Sequence, residues 1–89
     1  MLKPRQLERI VKGFANHRRI QILTLLAEKP ELSVQEISAI LKINIKTASQ
    51  HIQKIAIAGL VLKRSAGANV RHKVSPRGMA ILEFLRIIE

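Results

Sequence analysis

The chain has 89 residues, 47% of them hydrophobic, with no cysteine, tryptophan or tyrosine and only two phenylalanines. Sixteen Lys and Arg face six acids, all of them Glu, for a net charge of +10. One small domain spanning 1–89 is expected, too apolar for a disordered tail and without thiolate metal, iron–sulfur or redox chemistry. No run approaches the roughly 20 apolar residues of a membrane span. The first 20 residues lack a central apolar block, so neither a secretory leader nor a membrane role is expected.

A first helix is predicted from Pro4 to Ala15, with proline in the first turn where its missing N–H costs nothing. Leu7, Ile10, Val11 and Phe14 make its apolar stripe. Asn16 caps a second helix, His17 to Glu28, whose apolar residues cover so much of its girth that it reads as central. Pro30 stops it. Ser33 and Glu36 form a capping box for a third helix ending near Leu41, with Val34, Ile37, Ile40 and Leu41 facing the core. Three residues, Lys42 to Asn44, leave room only for a tight turn.

Asn44 caps a fourth helix, Ile45 to Ala58, closed by Gly59. Ile45, Ala48, Ile52 and Ile55 form its buried stripe. Opposite lie Lys46, Gln50 and Gln53, flanked by Thr47, Ser49 and Lys54. Two strands follow, Leu60 to Ser65 and Val70 to Val74, joined by a four-residue loop from Ala66 to Asn69. Alternation puts Val70, His72 and Val74 on one face and Arg71 and Lys73 on the other. Ser75-Pro76 opens a last helix to about Ile88, apolar almost all round. The fold class is mainly α with a small β-hairpin: two helices, a short strand, two helices, the hairpin and a final helix.

Charge is not scattered along this order. Residues 37–82 contain eight bases and no acid. Such a stretch suits a polyanion. Two short helices joined by a three-residue turn read as a helix-turn-helix, in which the second helix enters the major groove. Its outward face must carry hydrogen-bonding groups, because acids there would repel phosphates. Gln50 and Gln53 can pair with adenine edges and Lys46 with guanine, while Ser49 and Thr47 suit several partners. With Asn44 and Lys54 these form the expected recognition surface. The basic hairpin reads as a wing, with Lys63, Arg64, Arg71 and Lys73 meeting phosphate or the minor groove.

Three segments, GFANHRRIQILTLL (13–26), LSVQEISAILKINIKTASQHIQKIAIAGLV (32–61) and VSPRG (74–78), resemble the small winged-helix repressors of the ArsR type. The resemblance covers about residues 10 to 78. It implies a prokaryotic, cytoplasmic homodimer on operator double-stranded DNA, joined through its terminal helices. The interface would then draw on Leu7, Ile10, Val11, Phe14, Ile81, Leu82, Phe84, Leu85 and Ile88. Many members release DNA on binding a metal or another signal. Leu32 and Val34 stand here where the metal-sensing branch has cysteines, and the last helix offers only Glu83 and Glu89, so no metal site and no cofactor are expected. Room remains for a small-molecule effector that the residues do not name. Lys42 stands where the turn often has glycine, Ala56 and Ile57 replace a usually charged pair, and the wing lacks the usual tyrosines.

His17, His51 and His72 are too scattered to form a ligand set; His51 and His72 are read as packed residues. An enzyme is not expected, since there is no Asp, no Cys, no phosphate loop and no nucleophile–base pair. The alternatives left open are a non-specific nucleic-acid or chromatin binder and a winged-helix protein-interaction module.

Overall fold

In the computed structural model, which describes residues 1–89, the elements run α1 (Pro4–Phe14), α2 (His17–Glu28), α3 (Val34–Leu41), α4 (Ile45–Ile57), β1 (Val61–Ala66), β2 (Asn69–Val74) and α5 (Pro76–Ile88). Side-chain caps set most of the starts. Asn16 Oδ1 accepts from the N–H groups of Arg18 and Arg19 at 2.9 and 3.3 Å. Ser33 Oγ accepts from Glu36 N–H while Glu36 Oε1 accepts from Ser33 N–H, completing the box. Asn44 Oδ1 accepts from Lys46 N–H at 2.8 Å and from Thr47 N–H at 3.4 Å. Ser75 Oγ accepts from Gly78 N–H and donates to the Gly59 carbonyl at 2.6 Å, tying α5 to the end of α4.

The helix ends are equally specific. Lys42 closes α3 in the left-handed region, φ 56°. After α4, Gly59 turns at φ 76°. Its N–H donates to the Ala56 carbonyl and the N–H of Leu60 to that of Ile55, the paired bonds of a Schellman stop.

The core is built around α2. Ile22, Leu23 and Leu26 are fully buried with Ile37 of α3, Ile55 of α4 and Leu60 before the hairpin. Ile52, Val61 and Val74 complete the contacts between α4 and the wing. Phe14, placed by the resemblance at a subunit interface, is 6% exposed and belongs to this core instead. Ile40 and Ile45, given to the core by periodicity, are 43% and 46% exposed. Each sits in the turn of helix nearest the connection between α3 and α4, where the apolar stripe runs past the body it packs on. Gly13 lets α1 press onto α4; a Cβ there would lie 2.3 Å from that of Ala58.

The hairpin is antiparallel, from Val61↔Val74 to Ala66↔Asn69. Its connection is two residues, Gly67 and Ala68, rather than four. Gly67 takes φ 62° at the first turn position, as the mirror-image turns of tight hairpins require. The short strand expected between α2 and α3 shrinks to one bridge, Leu32↔His72. Pro30 has no N–H to give, Glu31 is left-handed at φ 70°, and Ser33 already turns inward as a cap. One residue is left for pairing. The result is a winged helix-turn-helix, with α3 and α4 as the paired helices and the hairpin as the wing.

Candidate nucleic-acid interface

Burial separates the two sides of α4. Ala48, Ile52 and Ile55 are buried, and Lys46, Thr47, Ser49, Gln50, Gln53 and Lys54 are all exposed. Asn44 is exposed as well, but its Oδ1 is held by the cap, so only its amide N–H groups are free to donate outward. Ile45 joins this surface as an apolar group beside Lys46, suited to a thymine methyl. Helical spacing alone could not find it, because the spacing assigns it to the core.

A cleft of about 320 Å³ opens between the start of α3, α4 and the hairpin. It brings Ser49 and Gln53 of the expected recognition surface together with Lys63 of the wing, and adds Gln35 and Asn69. Sequence reading missed the last two, which come from elements 34 residues apart and meet only in the fold.

The four wing cations are not equivalent. Arg64 donates to both carboxylate oxygens of Glu31, at 3.3 and 2.6 Å. Arg71 donates to the Glu31 carbonyl at 3.0 Å and to Glu36 Oε1 at 3.1 Å. The Arg64 hydrogen bond holds the Glu31 carboxyl below the usual range. Hydrogen bonds from Ser33, with the charge of Arg71 added, do the same for Glu36. Lys73 also acts on Glu31 through its charge. Two arginines therefore anchor the wing to the α2–α3 connection, while Lys63 points into the cleft beside α4.

His72 is buried, its Nδ1 2.9 Å from the Leu32 carbonyl, to which the ring N–H donates. His51 is half-buried and accepts at Nδ1 from Arg19 Nε–H at 3.2 Å. Burial, then the charges of Arg19, His17 and Arg18, push its pKa below the ordinary 6.5. Both histidines are packed residues with a defined partner. No three His, Cys, Asp or Glu side chains stand close enough to hold a metal ion, and no helix is long and apolar enough to cross a membrane.

Of the expected interface residues, Leu7, Val11, Phe84 and Ile88 are exposed, and so are Met79 and Ile87. Ile10, Ile81, Leu82 and Leu85 are half-buried against the chain's own core.

Comparison with known proteins agrees with this geometry. The sequence profile of bacterial regulatory proteins of the arsR family matches residues 16–63. The chain is 36% identical over 77 residues to the HTH-type transcriptional regulator Rv0324 of Mycobacterium tuberculosis, covering 86% of this chain but only 34% of that protein. It is equally similar, 36% over 77 residues, to the transcriptional activator HlyU of Vibrio cholerae, with 85% and 70% covered. The homodimeric winged helix-turn-helix DNA-binding domain Mb0332 of Mycobacterium bovis has a TM-score of 0.82 at 33% identity, over 93% of this chain and 77% of that one. For the structure of Vibrio cholerae HlyU the TM-score is 0.80 at 33% identity, over 93% and 90%.

Proposed function

The chain belongs to the ArsR family of bacterial regulatory proteins, and on that premise we propose that it is a homodimeric, sequence-specific regulator of transcription acting on double-stranded DNA in the cytoplasm. The observation that carries this reading is α4 itself: an acid-free, hydrogen-bonding face, held outward by a buried apolar face, directly beside a basic wing. Lys46, Gln50 and Gln53 read base edges in the major groove, with Asn44, Thr47, Ser49 and Lys54 around them. Lys63 meets the backbone from the wing, Lys73 contributes charge, and Arg64 and Arg71 contribute charge while fixing the wing's position.

The similarity to a homodimeric domain and the apolar patches left on α1 and α5 support a symmetric pair. Two such units place their recognition helices on half-sites about 34 Å apart, or a multiple of that distance. Repression by occupying the operator needs nothing more than the DNA-bound dimer, and that is the mode we propose. Regulation rather than catalysis is the reading that the family supports.

The test is selection of bound duplexes from a random pool near physiological salt. The expected result is an enriched inverted repeat, with the reporter gene downstream silenced when the protein is present. Retention of duplexes without enrichment would indicate a non-specific binder, and no retention at all a protein-interaction module; either outcome overturns the proposal.

A further inference from the structure

A second cleft, of about 420 Å³, lies on the other flank of α4, between α1, α2 and α4. Four cations line it: Arg9 and Lys12 of α1, Arg19 of α2 and Lys54 of α4. Gly13, Ile57 and Ala58 supply its apolar part. Three arginines elsewhere in the chain have carboxylates beside them: Arg64 pairs with Glu31, Arg71 with Glu36 and Arg86 with Glu83. In this cleft the one ion pair is Lys12 with Glu8, at 3.7 Å and with both side chains well exposed. Exposed pairs of this kind contribute little and give way to a better partner. Arg19 is oriented before any ligand arrives, by its bonds to His51 Nδ1 and to the Lys12 carbonyl at 2.8 Å.

Position relates the two clefts. At 100° per residue around α4, Lys46 and Gln50 mark the centre of the exposed face. Ser49 and Ile52, which line the wing cleft, fall to one side. Lys54 and Ala58, which line the second, fall to the other. A helix seated in a major groove about 12 Å wide has a sugar–phosphate strand along each side. The wing cleft can meet only one of them.

We propose that the α1–α2–α4 cleft receives phosphodiester groups of the opposite DNA strand, so that each protomer clamps both walls of the groove its recognition helix enters. This rests on the reading of the chain as a duplex-binding regulator. The groups suit that ligand. Guanidinium forks match phosphate oxygens, and Ile57, 82% exposed, offers an apolar face to a deoxyribose. Arg5, Arg9 and Lys12, at i, i+4 and i+7, continue the cations along one side of α1. Leu7 and Val11 lie on its opposite side, so the basic face and the apolar interface do not compete.

The test compares the double variant Arg9→Gln, Lys12→Gln with the parent and with Lys29→Gln, an exposed control away from both clefts. Binding to the selected operator is measured across a salt series. The double variant is expected to lose roughly 10–100-fold in affinity at about 0.1 M salt and to lower the slope of log affinity against log salt by about 2. The order of preferred sequences should stay the same, because phosphate contacts carry no base information. A slope equal to that of the control would overturn the cleft assignment and leave the regulator reading intact. A changed order of preference would overturn its assignment to the backbone. Failure of the parent itself to bind any duplex would overturn both.

Discussion

Gly78 is buried where α5 begins across the hairpin. A Cβ at this position would lie 2.2 Å from the Leu60 carbonyl oxygen and 2.6 Å from Val74 Cγ1. That carbonyl already accepts the Ser75 N–H at 2.9 Å, so it cannot retreat without opening the joint. Gly78→Ala is therefore expected to destabilise the fold by about 1–3 kcal/mol, read from the midpoint of urea unfolding at unchanged m-value. Lys42 gives the opposite sign. Its φ of 56° costs a non-glycine residue about 1–2 kcal/mol, and glycine's larger unfolded-state entropy offsets up to about 1 kcal/mol of the gain. Lys42→Gly should raise stability by about 0.5 kcal/mol in the same assay. The two positions also differ in legibility. Lys42 sits at a fixed place in a three-residue turn, so local chemistry marks it. Asn16, Ser33, Asn44 and Ser75 are legible in the same way, because a cap is a bond to a residue two or three places on. The close approaches at Gly13 and Gly78, the left-handed Glu31 and the anchoring of Arg64 and Arg71 are not. Each depends on a partner or a chain path set by distant elements, which no local spacing encodes.

Elements were predicted well where their periodicity is long and less well where it is cut short. The twelve residues of α2 show their buried side plainly, whereas the stripes of α3 and α4 lose Ile40 and Ile45 to solvent beside the turn. Joints between elements carry their own chemistry, and the Arg19–His51 bond between α2 and α4 is one with a pH signature. Arg19 Nε–H needs an unprotonated Nδ1, so the folded state holds His51 neutral. Burial and the cations Arg19, His17 and Arg18 reinforce this and keep its pKa below the ordinary 6.5. A histidine whose pKa is lowered on folding contributes stability that is complete above the unfolded value. The contribution is lost as pH falls through the folded pKa, and is constant below it. Glu31, Glu36 and Glu83 have lowered carboxyl pKa values, so they titrate below 4.5 and outside this window. The thermal stability of the parent should therefore fall as the pH is lowered from about 7.5 to about 5.5. In His51→Gln, whose amide oxygen can accept the same bond without titrating, that decline should be smaller. Identical curves would remove His51 as the group responsible.

At the scale of the whole molecule, the core is small: 18 of the 89 residues are buried. Meanwhile α5 leaves Met79, Phe84, Ile87 and Ile88 in solvent, and α1 leaves Leu7 and Val11. Six of the thirteen exposed large apolar side chains lie on these two helices, the association face proposed above. The division within α5 allows assembly to be tested apart from folding. Ile81, Leu82 and Leu85 pack on the protomer's own core, so substituting them would disturb both. Phe84 is 50% exposed and is not among the residues packed on that core, so Phe84→Glu should leave the helical content and unfolding cooperativity of the protomer in place. In a two-fold interface the same side chain is removed from both partners. Each burial is worth about 1.5–3 kcal/mol, before the cost of placing two carboxylates there. The variant should therefore sediment as a monomer at concentrations where the parent is a dimer. Its affinity for the inverted repeat should fall at least about 100-fold, because linked half-sites gain that factor from effective concentration alone. Affinity for a single half-site should be unchanged, since α4 and both of its clefts lie within one protomer. A variant that still sediments as a dimer would move the interface away from Phe84, and one that is monomeric yet binds the full repeat as tightly as the parent would show that the two half-sites are not read by a preassembled pair.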